Sequence, residues 1–93
     1  MFQKKDIIYS ETLGVCKVEE ITKLTQKNGD TVMYYGLRSL KEGKTAYIPV
    51  ENHSVVLREL IDGKTAEEIK QTRYENITLL EQYEVDYVLQ GGN

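Results

Sequence analysis

The segment IIYSETLGVCKV (residues 7–18) contains the pattern on which the fold prediction rests. Two β-prone runs flank a polar break at residues 10–14, and Cys16, the only cysteine, follows two residues later. Such a segment is either a loop with a reactive thiol or a strand–turn–strand with a buried one. Reactive thiols need a helix N-terminus or nearby cations, and strand alternation turns the adjacent Lys17 to the opposite face. The segment therefore predicts two strands joined by a turn, with Cys16 in the core.

The residues that follow Cys16 are compatible with two kinds of secondary structure. Apolar residues recur every three positions at Val15, Val18, Ile21 and Leu24, which could form one face of a helix. Most of the side chains at these positions are β-branched, and no capping residue precedes them. We therefore predict a strand over residues 15–25 with a bulge, which changes the parity of the residues that point inward.

The next segments predict a continued antiparallel meander. The Asn-Gly pair at residues 28–29 predicts a two-residue hairpin turn, because both positions tolerate a positive φ. TVMYYGLRSL (residues 31–40) predicts a third strand, KEGK (residues 41–44) a turn, and TAYIPV (residues 45–50) a fourth strand. Pro49, the only proline, cannot donate a ladder hydrogen bond and therefore indicates a strand end or a sheet edge.

Beyond residue 53 the pattern changes towards helix. SVVLRELI (residues 54–61) has apolar residues at spacings of three and four. Ser54 is placed to cap this helix, and the Asp-Gly pair at residues 62–63 is placed to end it.

A second helix is predicted to begin just after Thr65, which has the spacing of a capping box with Glu68. This helix would run from residue 66 to about residue 83, with a possible break in QTRYEN (residues 71–76). EVDYVL (residues 84–89) fits either a terminal strand or continued helix, and QGGN (residues 90–93) is predicted to be a frayed tail.

Composition limits the class of protein. The chain has 93 residues, of which 40% are hydrophobic and 29% charged, which is typical of one small globular domain. It has no run long enough to span a membrane and no apolar signal-peptide run behind its first lysines. With a single cysteine, the expected compartment is the reducing cytoplasm. The net charge is −3, from 12 basic and 15 acidic residues that are interspersed, so autonomous DNA binding is not expected.

Few residues offer catalytic chemistry. His53 is the only histidine, and neither a partner for acid–base catalysis nor further metal ligands accompany it at a recognisable spacing. A surface or capping role is the simpler interpretation. The sequence also has no glycine-rich phosphate loop. We therefore expect a protein that is not an enzyme and that uses neither a cofactor nor a metal ion.

Four segments in a fixed order resemble a known module: MFQKKDIIYSETLGVCKVEEI (residues 1–21), YYGLRSL (34–40), AYIPVEN (46–52) and VLREL (56–60). They are similar to the RNA-polymerase-interacting domain of the CarD family, a module that also occurs in the transcription–repair coupling factor. The resemblance covers about residues 1–61. The matching residues are Phe2, Asp6, Ile7, Ile8, Tyr9, Gly14, Val15, Val18, Tyr35, Leu37, Ile48, Pro49, Val50, Leu57 and Arg58.

The chain departs from the family pattern at a few positions. Lys5 stands in place of the usual glycine before Asp6, Ser10 in place of proline, and Leu13 where histidine is common. Full-length CarD proteins carry a helical C-terminal domain that places a tryptophan at the melted promoter DNA. This chain has no tryptophan, and only about 30 residues follow the resemblance. The DNA-acting half of those proteins is therefore expected to be absent or replaced.

The resemblance implies a mainly β fold, a small bent Tudor-like or SH3-like β-barrel over residues 1–61, followed by a short helical segment over residues 62–93. It also implies a bacterial transcription regulator that adds its exposed sheet edge to the RNA polymerase β subunit. The implied contact residues are Thr22, Lys23, Leu24, Thr25, Thr45 and Tyr47. Family members often have a basic residue where Tyr47 stands. An SH3-like adaptor for another protein, or for a second copy of the chain, remains the alternative, and the oligomeric state is not predicted.

Overall fold

The computed structural model describes residues 1–91, which form one antiparallel sheet and two helices. The elements are β1 (Ile7–Ser10), β2 (Gly14–Thr25), β3 (Thr31–Ser39), β4 (Thr45–Pro49), β5 (Leu57–Glu59), α1 (Gly63–Gln71) and α2 (Leu79–Leu89). The strand order is β4-β3-β2-β1-β5, so β4 and β5 are the two edges. Because these edges do not pair with each other within residues 1–91, the sheet stays open instead of closing into a barrel. The prediction of a mainly β fold is confirmed.

The opening segment folds as predicted. Ser10 pairs with Gly14 across a tight turn, and Cys16 pairs with Ile8 on the inward face. Cys16 is fully buried, and burial raises the pKa of its thiol to about 11. The thiol therefore belongs to the core and not to a reactive loop.

The second strand carries the predicted bulge. The pairing of β2 with β3 shifts between Val18 and Glu20, which leaves Glu19 without a partner residue. As a result Val18 before the bulge and Ile21 after it both contribute to the apolar core. The buried core residues of this cluster are Ile8, Cys16, Val18, Tyr35, Leu37 and Ile48.

The predicted helix over residues 54–61 is wrong. Leu57–Glu59 is the short strand β5, in which Arg58 pairs with Tyr9 of β1. Apolar residues at spacings of three and four are not sufficient to form a helix here. The open side of β1 offers backbone hydrogen bonds to this segment, whereas an isolated helix of this length is only marginally stable in water. Ser54 accordingly does not cap a helix.

The predicted start of the next helix is also wrong. Asp62 does not end a helix but caps α1, and its carboxylate accepts a hydrogen bond from the Thr65 backbone N–H at 2.7 Å. This bond lowers the pKa of Asp62. The helix therefore begins at Gly63, before the Thr65–Glu68 pair that was expected to form its cap.

The break within the helical region lies where the sequence predicted it. The connection between α1 and α2 contains left-handed backbone at Arg73, Tyr74 and Asn76. Helix α2 then begins with a complete capping box between Thr78 and Glu81. EVDYVL is helical, so the second of the two interpretations is correct. Of the predicted frayed tail, Gly92 and Asn93 lie outside the described residues.

Helix α2 packs on the face of β1 and β2 opposite the core cluster. Tyr9 and Val15 form a cross-strand pair on that face, and both are buried. Glu84 of α2 is 1% exposed and accepts two hydrogen bonds from the Arg58 guanidinium, each of 2.8 Å. The same carboxylate accepts the Ile61 backbone N–H at 3.0 Å. The helix is therefore fixed to the sheet by apolar packing and one buried carboxylate.

No helix within residues 1–91 combines the length and the apolar character needed to cross a membrane. All strands lie before residue 61 and both helices after it. Whether residues 1–61 and 62–93 are separate folding units stays a prediction.

Candidate docking edges of the sheet

The six residues predicted to contact a partner lie on two different strands. Four of them, residues 22–25, form the far end of β2, whereas Thr45 and Tyr47 belong to β4. Strand β3 lies between β2 and β4, so the two groups border opposite sides of it. The expectation that the second and fourth strands form one docking edge is therefore wrong. A single partner strand can pair with only one of them.

The direction of the backbone groups on β4 follows from one hydrogen bond at its end. The Val50 N–H donates to the Met33 C=O at 2.9 Å, so the Met33 carbonyl points from β3 towards β4. In an antiparallel ladder, paired residues alternate between hydrogen-bonded and non-hydrogen-bonded. Residues two positions apart on a strand are paired in the same way, so Ala46 and Ile48 also form hydrogen-bonded pairs with β3.

The remaining residues of β4 direct their backbone groups away from the sheet. Thr45 and Tyr47 each present an N–H and a C=O to the free edge. The backbone of Pro49 also faces the free edge, so the absence of an N–H at this residue costs no hydrogen bond between β4 and β3. This position at the edge and at the strand end confirms the interpretation of the single proline. Strand β4 is thus open to pairing beside Thr45 and Tyr47.

A second free edge runs along the far half of β2. Strand β1 pairs with β2 only over Gly14–Lys17, and beyond Val18 only β3 is a neighbour. In place of the predicted two-residue Asn-Gly turn, the hairpin ends in a three-residue turn, residues 27–29, in which only Gly29 has a positive φ. The Gln26 N–H donates to the Asp30 C=O at 2.6 Å across that turn. Alternation from that pair directs the backbone groups of Lys23 and Thr25 outward. This edge belongs to a projecting two-stranded hairpin.

A cross-strand row on the outer face of the sheet joins β2, β3 and β4. Glu20 pairs with Gly36, and Gly36 pairs with Tyr47. The Tyr47 hydroxyl crosses above Gly36 and donates to Glu20 Oε1 at 2.8 Å. A Cβ atom on Gly36 would lie 2.7 Å from Glu20 Cγ and 3.1 Å from Tyr47 Cε1. Only glycine leaves room for this contact.

The hydrogen bond to Glu20 raises the pKa of Tyr47, and the negative charges of Glu20 and Glu19 add to the effect. Tyr47 is 53% exposed, so its ring is accessible beside the open edge. Sequence reasoning missed Glu20 as part of this site. The available signal was Gly36 inside a β-strand pattern, which often marks a close approach of neighbouring groups.

The remaining candidate for chemistry, His53, contacts the backbone of its own loop. His53 Nδ1 lies 2.7 Å from the Val55 carbonyl oxygen, within the loop that leads to β5. Across residues 1–91, no three side chains of His, Cys, Asp or Glu are grouped so that they could hold a metal ion.

Comparison with protein-family models, with curated proteins and with solved structures finds no match in any of the three.

Proposed function

We propose that this chain is a CarD-like, non-enzymatic bacterial transcription regulator that docks on the RNA polymerase β subunit through the edge of β4. The observation that carries the proposal is the open backbone of Thr45 and Tyr47 on that edge. Both are contact positions implied by the resemblance. Related to this is the proposal that the bent, open sheet is a Tudor-like or SH3-like module.

The physical basis of docking is the addition of a strand to the sheet. Backbone groups of β4 would supply affinity, and the side chains beside the edge would supply specificity. An unpaired edge invites aggregation unless it is protected. The edge of β4 is short, and Pro49 at its end offers no donor. These features fit an edge that accepts one partner strand and resists indefinite self-pairing.

The edge of β4 is preferred to the far edge of β2 for a structural reason. Residues 23–25 of β2 and 31–33 of β3 form the end of the hairpin, where neither β1 nor β4 pairs with them. A two-stranded hairpin is only marginally stable without further support. Strand β4 instead borders the apolar core through Ile48, which gives it a fixed position.

The experiment compares proline substitutions on the two edges. Thr45→Pro removes an outward N–H on β4, and Lys23→Pro removes an outward N–H on β2. We expect Thr45→Pro to abolish binding to a purified β-lobe fragment in calorimetry, while Lys23→Pro binds as the wild type does. Both variants should keep the circular-dichroism spectrum and a cooperative thermal transition. Loss of binding in Lys23→Pro alone would assign docking to β2.

If the wild-type chain gives no heat of binding with about 50 μM β-lobe fragment, the polymerase proposal fails, because a functional contact should have a Kd in or below that range.

A second candidate function is an SH3-like adaptor for another protein. The observation that favours it is the exposure of Leu24 and Tyr47 on the outer face of the sheet, since aromatic side chains are enriched in protein interfaces. A pull-down from a bacterial lysate distinguishes the two, because retention of the β subunit supports the regulator and its absence supports the adaptor.

A further inference from the structure

We propose that the strand which pairs with β4 carries a basic residue beside Tyr47, an acidic residue two positions away beside Thr45, and an apolar residue beside Pro49. The inference rests on the proposed use of the β4 edge for docking. It specifies which kinds of side chain the docked strand carries, and the position of the edge alone does not specify them.

The register of the sheet defines three rows of side chains on the outer face. The first row runs from Thr45 through Arg38 to Lys17, and the second is the row of Tyr47, Gly36 and Glu20 described above. The third row runs from Pro49 through Tyr34 to Thr22. Paired residues in neighbouring strands share a face, so a strand added at β4 would extend each row by one residue.

The row of Tyr47 is negative and accessible. Glu20 accepts the Tyr47 hydroxyl through one carboxylate oxygen, and Glu19 adds a second charge nearby. Among residues 1–91, no Lys, Arg or His nitrogen lies within 4.0 Å of either carboxylate. A lysine or arginine on the docked strand would therefore meet an exposed tyrosine ring and a carboxylate without an ion-pair partner.

The row of Thr45 has the opposite sign. Lys17 and Arg38 are directly paired across β2 and β3, and like charges in that arrangement are unfavourable. No carboxylate in the described chain forms an ion pair with either of them. An acidic residue on the docked strand would lie two strands from Arg38 and three from Lys17, and its charge would partly offset this repulsion.

The row of Pro49 is uncharged, and the half-buried ring of Tyr34 beside Pro49 favours an apolar residue on the docked strand. The intervening positions of the docked strand would face Ala46 and Ile48 on the core side of β4, which favours apolar residues there. The predicted strand therefore reads acidic, apolar, basic, apolar, apolar along the direction of β4. Its central position is basic whether it runs parallel or antiparallel.

The test uses capped synthetic peptides and the full chain. One peptide has the order glutamate, valine, lysine, valine, phenylalanine, a second has the reverse order, and matched controls replace the central lysine by glutamate. Binding is followed by the amide NMR shifts of Thr45 and Tyr47. We expect the better lysine peptide to bind roughly fivefold more tightly than its glutamate control, which is the upper range for an exposed charge pair.

Two variants test whether the preference comes from the row of Tyr47. Glu20→Gln keeps the shape and removes the charge, so the preference for lysine should decrease. Glu20→Lys should reverse it. Equal binding of lysine and glutamate peptides, an unchanged preference in Glu20→Lys, or no amide shift at about 1 mM peptide would each overturn the inference.

The outcomes separate this inference from the proposed function. If the lysine peptide binds at Tyr47 but the polymerase β lobe does not bind, the strand chemistry is supported and the polymerase proposal is wrong. If the lobe binds the wild type and Glu20→Lys equally well, docking stands and the inference about the basic residue is wrong.

Discussion

Lys5 has a backbone conformation that its side chain disfavours. Its φ is 80°, in the left-handed region, and it lies in a tight turn in which the Asp6 N–H donates to the Gln3 C=O. The Lys5 N–H itself donates to the Val18 C=O at 2.7 Å, which fixes the turn against β2. The resemblance places a glycine at this position, and glycine adopts such a φ at little cost. The departure from the family pattern thus falls where the structure would favour the family's residue.

We predict that Lys5→Gly stabilises the protein by about 0.5–1 kcal/mol, because relief of the left-handed penalty exceeds the greater entropy of glycine in the unfolded chain. Lys5→Ala, which keeps the Cβ atom, is the matched control and should change the free energy of unfolding by less than about 0.5 kcal/mol. Urea denaturation of the three proteins measures the difference. A Lys5→Gly protein no more stable than Lys5→Ala would contradict the explanation.

Cys16 gives a second prediction at this scale. Because the thiol is fully buried, it should resist a thiol reagent in the native protein at neutral pH and react fully once the chain is unfolded in denaturant. Mass spectrometry after timed labelling reports both rates. Rapid labelling of the native protein would show that the residue is not part of the core.

The raised pKa of Cys16 has a consequence for stability at high pH. The folded protein binds the thiol proton up to a pKa of about 11, whereas the unfolded chain loses it near the ordinary value of 9.0. Stability from this group is therefore complete below pH 9 and decreases as the pH rises towards 11, by about 2–3 kcal/mol in total. In Cys16→Ala this component of the alkaline decrease should be missing, which denaturation at pH 8 and at about pH 10.5 can test.

At the scale of the elements, the sequence predicted those whose signals are local. The turn at residues 10–14, the bulged β2 and the Asn-Gly hairpin each depend on alternation or turn residues within a few positions. Strand β5 was missed because its conformation depends on the open side of β1, almost fifty residues earlier. The two free edges were predicted as one for the same reason, since strand order is set by long-range pairing that no local pattern shows.

The contact between α2 and the sheet gives a prediction at the level of the elements. Glu84→Ala leaves Arg58 without its bidentate partner and the Ile61 N–H without an acceptor. We expect a loss of about 2–4 kcal/mol, below the range for fully buried pairs because Arg58 is partly exposed. Thermal and urea unfolding measure it.

The matched control is the exposed pair between Lys44 and Glu42, whose nitrogen and oxygen are 3.9 Å apart. Glu42→Gln should cost less than about 0.5 kcal/mol. Replacing both members of the buried pair, as Arg58→Met with Glu84→Leu, should cost clearly less than the sum of the single changes. Additive costs would mean that the two side chains contribute to stability independently.

At the scale of the whole molecule, the chain is elongated, with extents of 51 × 23 × 22 Å. Helix α2 covers the outer face of β1 and the start of β2, while β4 and the far part of the β2–β3 hairpin have no helix over them. The surfaces free to bind a partner therefore lie away from the helices. A chain with a small core can therefore keep the edge of β4 open, because α2 makes its stabilising contacts at β1 and the start of β2.

The charge of the whole chain leads to the last prediction, which concerns DNA. Nonspecific affinity for duplex DNA comes from clustered cations that release counterions from the phosphates. The net charge here is −3, and the lysine and arginine residues are interspersed with acidic ones along the chain. Lys17 and Arg38 are adjacent on the outer face, but the row beside them carries Glu20. We therefore expect no shift of a labelled promoter duplex at about 10 μM protein in 150 mM salt, where nonspecific binders give Kd values of 10⁻⁴–10⁻⁶ M.

The informative comparison lowers the salt, because any affinity that comes from phosphate contacts must increase steeply as salt is removed. A variant with Glu19→Lys and Glu20→Lys changes the net charge from −3 to +1 and joins the cations of the outer face into one patch, so it serves as the positive control. We expect this variant to bind DNA at about 50 mM salt and the wild type to remain unbound. A salt-dependent shift with the wild type would mean that the chain contacts DNA directly, and the proposed regulation would then not depend on the proposed polymerase contact alone.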